Sequence, residues 1–346
     1  MEENLDWMED LRTYATLVIP AAGRSSRFKS STNIDKCLAP VVYYVDDKGD
    51  KLYRPLIVDT LSKIRSRNIL IAKNNDRDVF IKDVFIIVNS ENSKRIKDTI
   101  EKYKEYYIDS NGLEIHYFVV DNYDGDCAAL YRLYKSKEFN PYGYTPSVVM
   151  WSDAYISDIT GFGSFLRQSH HCLREHHTMC SIAAEICNYK DGVPYCIIKE
   201  WPEERSKHKK GTIGRVYGID HASTRSEFTS KEYESYLNKR NLLFRKTNYL
   251  LHDLSVFYID IPIFDWVVID WIMCNGIQKD EKTGTYSKPL KFMDILNSES
   301  GRDYLDKRLL FNSLNGKFTK SFNTVKEFTD NVKSSIESDI LKGVKL

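Results

Sequence analysis

The sequence predicts an α/β fold with a mostly parallel sheet, and three observations carry that reading. Apolar, β-branched runs alternate with polar stretches of helical period between Thr16 and Trp151. The first of those runs empties directly into a small, polar and basic loop, as a buried strand does at a sheet edge. Composition supplies a core: 346 residues, 42% hydrophobic, with 23 Tyr, 16 Phe and 5 Trp against only 16 Gly and 9 Pro, which excludes disordered, collagen-like and linker-like classes.

Taken in order, Thr16–Pro20 (TLVIP) reads as a buried strand that opens into Ala21–Phe28 (AAGRSSRF). Asp83–Asn89 (DVFIIVN) is a second strand, and Glu91–Tyr107 follows with the period of a surface helix. Glu114–Val120 is a third strand, Cys127–Tyr134 a short helix, and Ser147–Trp151 (SVVMW) a fourth strand ending at Ser152-Asp153. An amphipathic helix is expected over Gly163–His176, then strands near Met179–Ile186, Tyr195–Lys199 and Ile213–Ile219. Phe322, Val325, Phe328, Val332, Ile336 and Ile340 recur at steps of three or four, so the chain is expected to close with a packed helix. The basic run Arg205–Lys210 precedes Gly211 between two strands and reads as a solvated hairpin tip, the alternative being a mobile loop that touches phosphate. There is no internal repeat and no low-complexity linker, so residues 1–15 are an N-terminal extension and 16–346 one domain.

Charge narrows the partners. Fifty Lys and Arg against 49 Asp and Glu give a net charge of +1, so no overall basic field exists to hold nucleic acid, and a small-molecule partner is expected. Seven Cys without any CxxC spacing argue against a disulfide framework and against a ribbon-type zinc site, and fit a reducing compartment. The acidic start MEENLDWMEDLRTY lacks a basic segment followed by an apolar core, and the longest apolar stretch, Leu254–Met273, is broken by Asp260, Asp265 and Asp270. A cytoplasmic protein with no membrane span is the expectation, with homo-oligomerisation left open.

In open α/β sheets ligands bind beyond the carboxyl ends of the strands, where the first strand meets Ala21-Ala22-Gly23-Arg24-Ser25-Ser26-Arg27. Small residues let a ligand approach the backbone, successive N–H groups can form an anion nest, and Arg27 and Lys36 bring two cations within ten residues, a set suited to a triphosphate. The loop is not a P-loop, since GxxxxGK[ST] is absent. Read singly, Asp153 is also a turn or cap residue, Arg27 a surface arginine, Asp253 a capping carboxylate and Gly125 a simple turn.

In combination these segments resemble the sugar-1-phosphate nucleotidyltransferases, whose first strand carries roughly (L/I)xPAAGxGxRF followed by PKxL; this chain reads LVIPAAGRSSRF and then DKCL over Leu17–Leu38. GDCAAL at Gly125–Leu130 is similar to the family's GT(A/G)xAL base-contact turn, and SVVMWSDAYI at Ser147–Ile156 to its apolar strand ending in (G/N)Dxx. His252–Ile259, Lys291–Leu296 and Ser321–Asp330 resemble later family segments, so the likeness covers nearly the whole chain. It implies a three-layer α/β sandwich around a mixed, mostly parallel sheet, with residues 16–160 the nucleotide-binding half and 161–346 the acceptor-binding part.

Carried over residue by residue, the resemblance implies that Ala21, Ala22, Gly23 and Arg24 hold the nucleotide with Gly125 and Asp126. Arg27 would clamp the β- and γ-phosphates, Lys36 would reach a transferring phosphate oxygen, and Asp153 would hold Mg²⁺ with Asp253 as the best-aligned second carboxylate. The implied reaction joins an NTP to a sugar 1-phosphate, giving an NDP-sugar and pyrophosphate, or uses another phosphorylated alcohol as acceptor. No nucleophilic side chain is required, because bringing two phosphates together is chiefly a matter of positioning and charge neutralisation. The chain departs from the pattern at Ser25 or Ser26 for the second Gly, Asp35 for the Pro before the lysine, Asp126 for Thr, and Asp220-His221 for Glu-Lys. Asp35 would partly neutralise its neighbour Lys36, and these departures motivate the rival reading of a non-catalytic nucleotide or sugar-phosphate sensor. A glycosyltransferase would need a DxD motif that Ser152-Asp153-Ala154 does not supply. Zinc on Cys172 and His176 and Ser/His/Asp hydrolysis are both disfavoured, the latter by the absence of GxSxG.

Overall fold

A computed structural model describes residues 14–23, 29, 32–74, 78–107, 112–122, 124–143, 145–176, 179–188, 196–200, 213–221, 230–239, 249–297, 309–312 and 319–320. The chain divides into two compact units, the first formed by Met1–Asn122, Lys135–Gly163 and Phe318–Leu346, the second by Tyr123–Tyr134 and Ser164–Lys317. The architecture is α/β, with mixed β-structure and helices on both sides, as the strand and helix alternation requires.

In the first unit β1 (Tyr14–Pro20), β4 (Phe80–Val88), β5 (Glu114–Val119) and β6 (Ser147–Met150) form the parallel ladder β5-β4-β1-β6. Ala15–Ile19 and all of β6 are buried, which is why both read as unbroken apolar runs rather than as alternating ones. Two further strands, β2 (Pro40–Val45) and β3 (Lys51–Pro55), pair as an antiparallel hairpin, and β7 (Tyr155–Ile156) pairs with β13 (Thr319–Lys320). The helices are α1 (Leu56–Asn74) and α2 (Ser90–Lys102). The surface helix expected through Tyr107 stops at Lys102 and passes into a 3₁₀ turn over Lys104–Tyr106.

Sequence periodicity passed over α1. Its inner face buries Leu61, Ile64 and Ile71, but Asp59, Arg67 and Asn68 as well; Asp59 pairs with Lys63 on the same helix at 2.6 Å, whereas Arg67 and Asn68 turn to other segments. Arg67 donates to the Val79 carbonyl at 2.6 Å and pairs with Asp78 at 2.9 Å, and the Asn68 amide donates to the Ile81 carbonyl. Helix α4 (Ile159–His176) begins four residues before the expected Gly163, its first turn held by Asp158, whose Oδ1 accepts from the Thr160 N–H at 2.9 Å. Gly163 is tolerated inside it because a Cβ there would lie 2.8 Å from the Arg67 Nε.

In the second unit the order is β11-β8-β12-β10-β9, with β8 (Cys180–Asn188), β9 (Cys196–Glu200), β10 (Ile213–His221), β11 (Tyr249–Ile259) and β12 (Leu309–Asn312). The β8–β12 pair is parallel, whereas β8–β11, β9–β10, β9–β11 and β10–β12 are antiparallel. Helices α3 (Asp126–Tyr134), α5 (Ser230–Lys239), α6 (Ile261–Cys274) and α7 (Phe292–Leu296) complete it. Phe292 meets Phe257 edge-on at 4.8 Å and Phe264 at 5.7 Å, tying α7, β11 and α6 into one aromatic core.

The long apolar stretch is thus a strand followed by a buried helix. Asp260 marks the joint: its carboxylate caps α6 by accepting from the Ile263 N–H at 3.1 Å, with Pro262 in the first turn. Among the described residues no helix is long and apolar enough to cross a membrane. Cys37, Cys127, Cys172, Cys180, Cys187 and Cys274 are free thiols. The expected closing helix over residues 322–340 and the basic run 205–210 lie outside the described residues.

Candidate active site

Strand β1 delivers its chain into Ala21-Ala22-Gly23, where the backbone is fixed from one side by the start of α2. Asn89 caps that helix, its side chain accepting from the Asn92 N–H at 2.8 Å while the Asn92 side chain accepts from the Asn89 N–H at 2.9 Å. The same two amides reach back to the loop: Asn92 Nδ2 donates to the Ala21 carbonyl at 2.8 Å and Asn89 Nδ2 to the Ala22 carbonyl at 2.6 Å. With both carbonyls drawn toward α2, the loop's path is set before any ligand arrives. A Cβ added to Gly23 would meet nothing within 4 Å, so the backbone there is open to close approach.

Lys36 and Asp153, 117 positions apart, meet in the first unit: Lys36 Nζ lies 2.9 Å from Asp153 Oδ2. The parallel register Val18↔Val149 accounts for the place of Asp153, because it puts the loops after β1 and β6 at the same end of the ladder. Both side chains are partly exposed, 13% for Lys36 and 21% for Asp153, so the pair remains open to a ligand. Asp153 sits in a tight turn in which the Ala154 N–H donates to the Trp151 carbonyl at 2.8 Å.

The neutralisation of Lys36 by Asp35 does not occur. Asp35 is 3% exposed and turns to other cations, with Lys29 Nζ 2.8 Å from Oδ1 and Arg95 donating to Oδ2 at 2.8 and 3.1 Å. Consecutive residues in a 3₁₀ turn project differently, so adjacency in sequence did not make a pair. Arg24 and Arg27 lie outside the described residues.

Gly125, Asp126 and Asp253 belong to the second unit. Gly125 has φ +114° and a Cβ there would fall 2.0 Å from the Leu290 carbonyl oxygen, so glycine is demanded twice. Asp126 is engaged in the same junction: its Oδ1 accepts from the N–H of Phe292 and of Cys127, both at 2.8 Å, and the Cys127 N–H also lies 3.0 Å from the Leu290 carbonyl. Next to them Asp124 grips Arg132 through both carboxylate oxygens and accepts from the Tyr286 N–H at 2.8 Å. Burial works to raise the Asp124 pKa, but Arg132 and the Tyr286 N–H outweigh it and hold the group below the usual carboxylate range.

Asp253 occupies a kink in β11, where register with β8 slips before Phe257 and Ser255 adopts φ +62°. Its Oδ1 accepts from the Ser255 N–H at 2.8 Å. Burial pushes its pKa up to about 7, with that one N–H opposing. Of the disfavoured zinc pair, the Cys172 thiol is buried and its pKa is raised to about 11, while the side chain of His176 lies outside the described ones.

A cluster that sequence reasoning missed lies elsewhere in the first unit. Asp83, Glu114 and His116 bring one ligand atom each within 4.8 Å of one another. The spacing Glu114-x-His116 marks one face of a strand, but its partner depends on a strand register that the sequence does not disclose.

Neither a protein-family model nor a curated protein sequence matches the chain. Solved structures do. UDP-glucose pyrophosphorylase in complex with UDP-glucose aligns with a TM-score of 0.54 and 14% identity, covering 92% of this chain and 97% of that one. A putative UDP-N-acetylglucosamine pyrophosphorylase from Entamoeba histolytica aligns with a TM-score of 0.56 and 14% identity, covering 96% of this chain and 82% of that one. Over nearly its whole length, therefore, the chain has the fold of the sugar nucleotidyltransferases.

Proposed function

We propose that this protein is a nucleotidyltransferase that joins an NTP to a sugar 1-phosphate, releasing pyrophosphate. The observation that carries the reading is the Lys36–Asp153 pair at 2.9 Å, which joins two implied site residues from distant segments at the strand ends that bear the small-residue loop. An oxygen of the sugar phosphate attacks the α-phosphorus as the bond to the pyrophosphate oxygen breaks. Lys36 pairs with Asp153 while Asp35 is held by Lys29 and Arg95, and the partly exposed Lys36 ammonium would serve the incoming phosphate. The tethered backbone at Ala21–Gly23 positions the triphosphate, and Arg27 is proposed as the clamp on its β- and γ-phosphates.

Asp153 suits Mg²⁺: a hard carboxylate donor at a strand end, partly exposed and already facing a cation. When bound, the ion supplies neutralisation of charge on the phosphates. The roles of Asp253 as a further ligand and of Gly125 and Asp126 at the base are proposals of the same reading, as are a cytoplasmic setting and soluble small-molecule substrates.

Pyrophosphate release from four NTPs crossed with common sugar 1-phosphates in Mg²⁺ tests the proposal, UTP with glucose 1-phosphate and N-acetylglucosamine 1-phosphate first because both fold neighbours are named for UDP-sugars. One pair should turn over, and Asp153→Ala or Lys36→Ala should each lower kcat by about 10²–10³-fold. NTP binding without pyrophosphate release from any pair would favour the sensor reading.

A further inference from the structure

The Asp83, Glu114 and His116 cluster is separate from the machinery above and calls for its own explanation. Strand β5 is the outermost of the ladder β5-β4-β1-β6, and its register with β4 pairs Glu114 with Asp83 and His116 with Phe85. The two-residue period of a strand then sets Asp83, Glu114 and His116 on one face. They lie toward the beginnings of these parallel strands, whereas the loop at Ala21 and the turn at Asp153 leave from strand ends, so the cluster is not part of the proposed nucleotide site.

The donors are held in place. The His116 ring stacks on Phe85 at 4.5 Å with an 18° interplanar angle, and Tyr142 flanks it at 5.9 Å. Asp83 Oδ1 accepts from the Tyr142 hydroxyl at 3.0 Å and lies 2.9 Å from His116 Nε2, so it is oriented by a neighbour that is not itself a ligand. Glu114 is 53% exposed and meets Lys82, itself 52% exposed, at 2.7 Å. Such a solvated pair is weak and gives way readily to a stronger cation.

We propose that Asp83, Glu114 and His116 form a binding site for a divalent transition ion of the Zn²⁺ type, clipping the edge strand β5 to β4. An imidazole selects Zn²⁺, Co²⁺ or Ni²⁺ over Mg²⁺ and Ca²⁺, and two carboxylates supply the charge. A tetrahedral ion with bonds of about 2.0–2.1 Å sets its ligand atoms roughly 3.3 Å apart. The Asp83–His116 pair at 2.9 Å need open only slightly to reach that spacing, and the exposed Glu114, within 4.8 Å of both, makes up the rest by leaving Lys82. Three protein ligands leave a fourth position for water.

The test is titration of the metal-free full chain with Zn²⁺ and, in parallel, with Co²⁺, in a Cys274→Ser background, since Cys274 is an exposed free thiol. Calorimetry should give one ion per chain, a rise in Tm and no competition by Mg²⁺. The Co²⁺ visible spectrum should show ligand-field bands without thiolate charge transfer. Glu114→Gln, at an exposed position, and His116→Gln should each weaken binding by about tenfold or more. No binding, binding undiminished in both variants, or a thiolate charge-transfer band would overturn the proposal. The readouts are binding, Tm and spectrum, so they stand whether or not nucleotidyl transfer is found.

Discussion

Asp153 and Asp253, implied by resemblance as one kind of residue, inhabit different surroundings. Asp153 is partly exposed and faces the Lys36 ammonium, whereas Asp253 is 3% exposed and its carboxylate accepts from the Ser255 N–H. The difference comes from what surrounds each strand end, which no local motif encodes. At Gly125 the backbone itself decides the residue type. Its φ of +114° and the Leu290 carbonyl 2.0 Å from a notional Cβ mean that Gly125→Ala must move backbone rather than a flexible side chain. The variant is expected to lose roughly 3 kcal/mol or more of stability in urea denaturation, the range of strained or overpacked buried sites. A loss under about 0.5 kcal/mol, the range of ordinary surface substitutions, would show that the turn relaxes.

At the scale of elements, α2 does two things with one pair of asparagines. The reciprocal cap of Asn89 and Asn92 satisfies the first turn of the helix, and the remaining amide hydrogens fix the carbonyls of Ala21 and Ala22. Asn89→Ala is expected to cost about 1–2 kcal/mol through the cap alone and, in the proposed enzyme, to raise the KM for NTP more than it lowers kcat. Urea denaturation and steady-state kinetics measure the two effects, and an unchanged KM would mean that the loop holds itself. Helix α2 was legible because its outer face is polar and Ile96 and Ile100 recur on its inner one. Helix α1 was not, because buried Asp59, Arg67 and Asn68 interrupt the apolar period, and the last two find their partners on the next strand and the segment leading into it. Asp260, taken from the sequence as a charge interrupting an apolar stretch, is the joint between β11 and α6.

For the whole molecule, the buried Asp253 writes itself into the pH profile. Its pKa is raised from 3.8 to about 7, so between those values the folded chain keeps a proton that the unfolded chain releases. Stability therefore falls as pH rises from about 4 to about 7 and levels off above, by up to about 4 kcal/mol. Asp253→Asn should flatten that window and stabilise the chain at neutral pH, as urea midpoints measured across pH 4–8 would show; an unaltered slope would place the cause elsewhere. The sequence by itself determined the α/β class, the order of most strands, the loop after β1 and the lysine and aspartate implied for the site, because apolar periodicity and short motifs are local properties. Tertiary structure decided that Lys36 meets Asp153 while Asp35 goes to Lys29 and Arg95, that Asp126 joins the Leu290–Phe292 junction, and that Asp83, Glu114 and His116 converge. The convergence of Asp83, Glu114 and His116 depends on strand register, since a shift of one residue would send a strand side chain to the other side of its sheet, and the other contacts depend on how turns and helix ends far apart in sequence pack together.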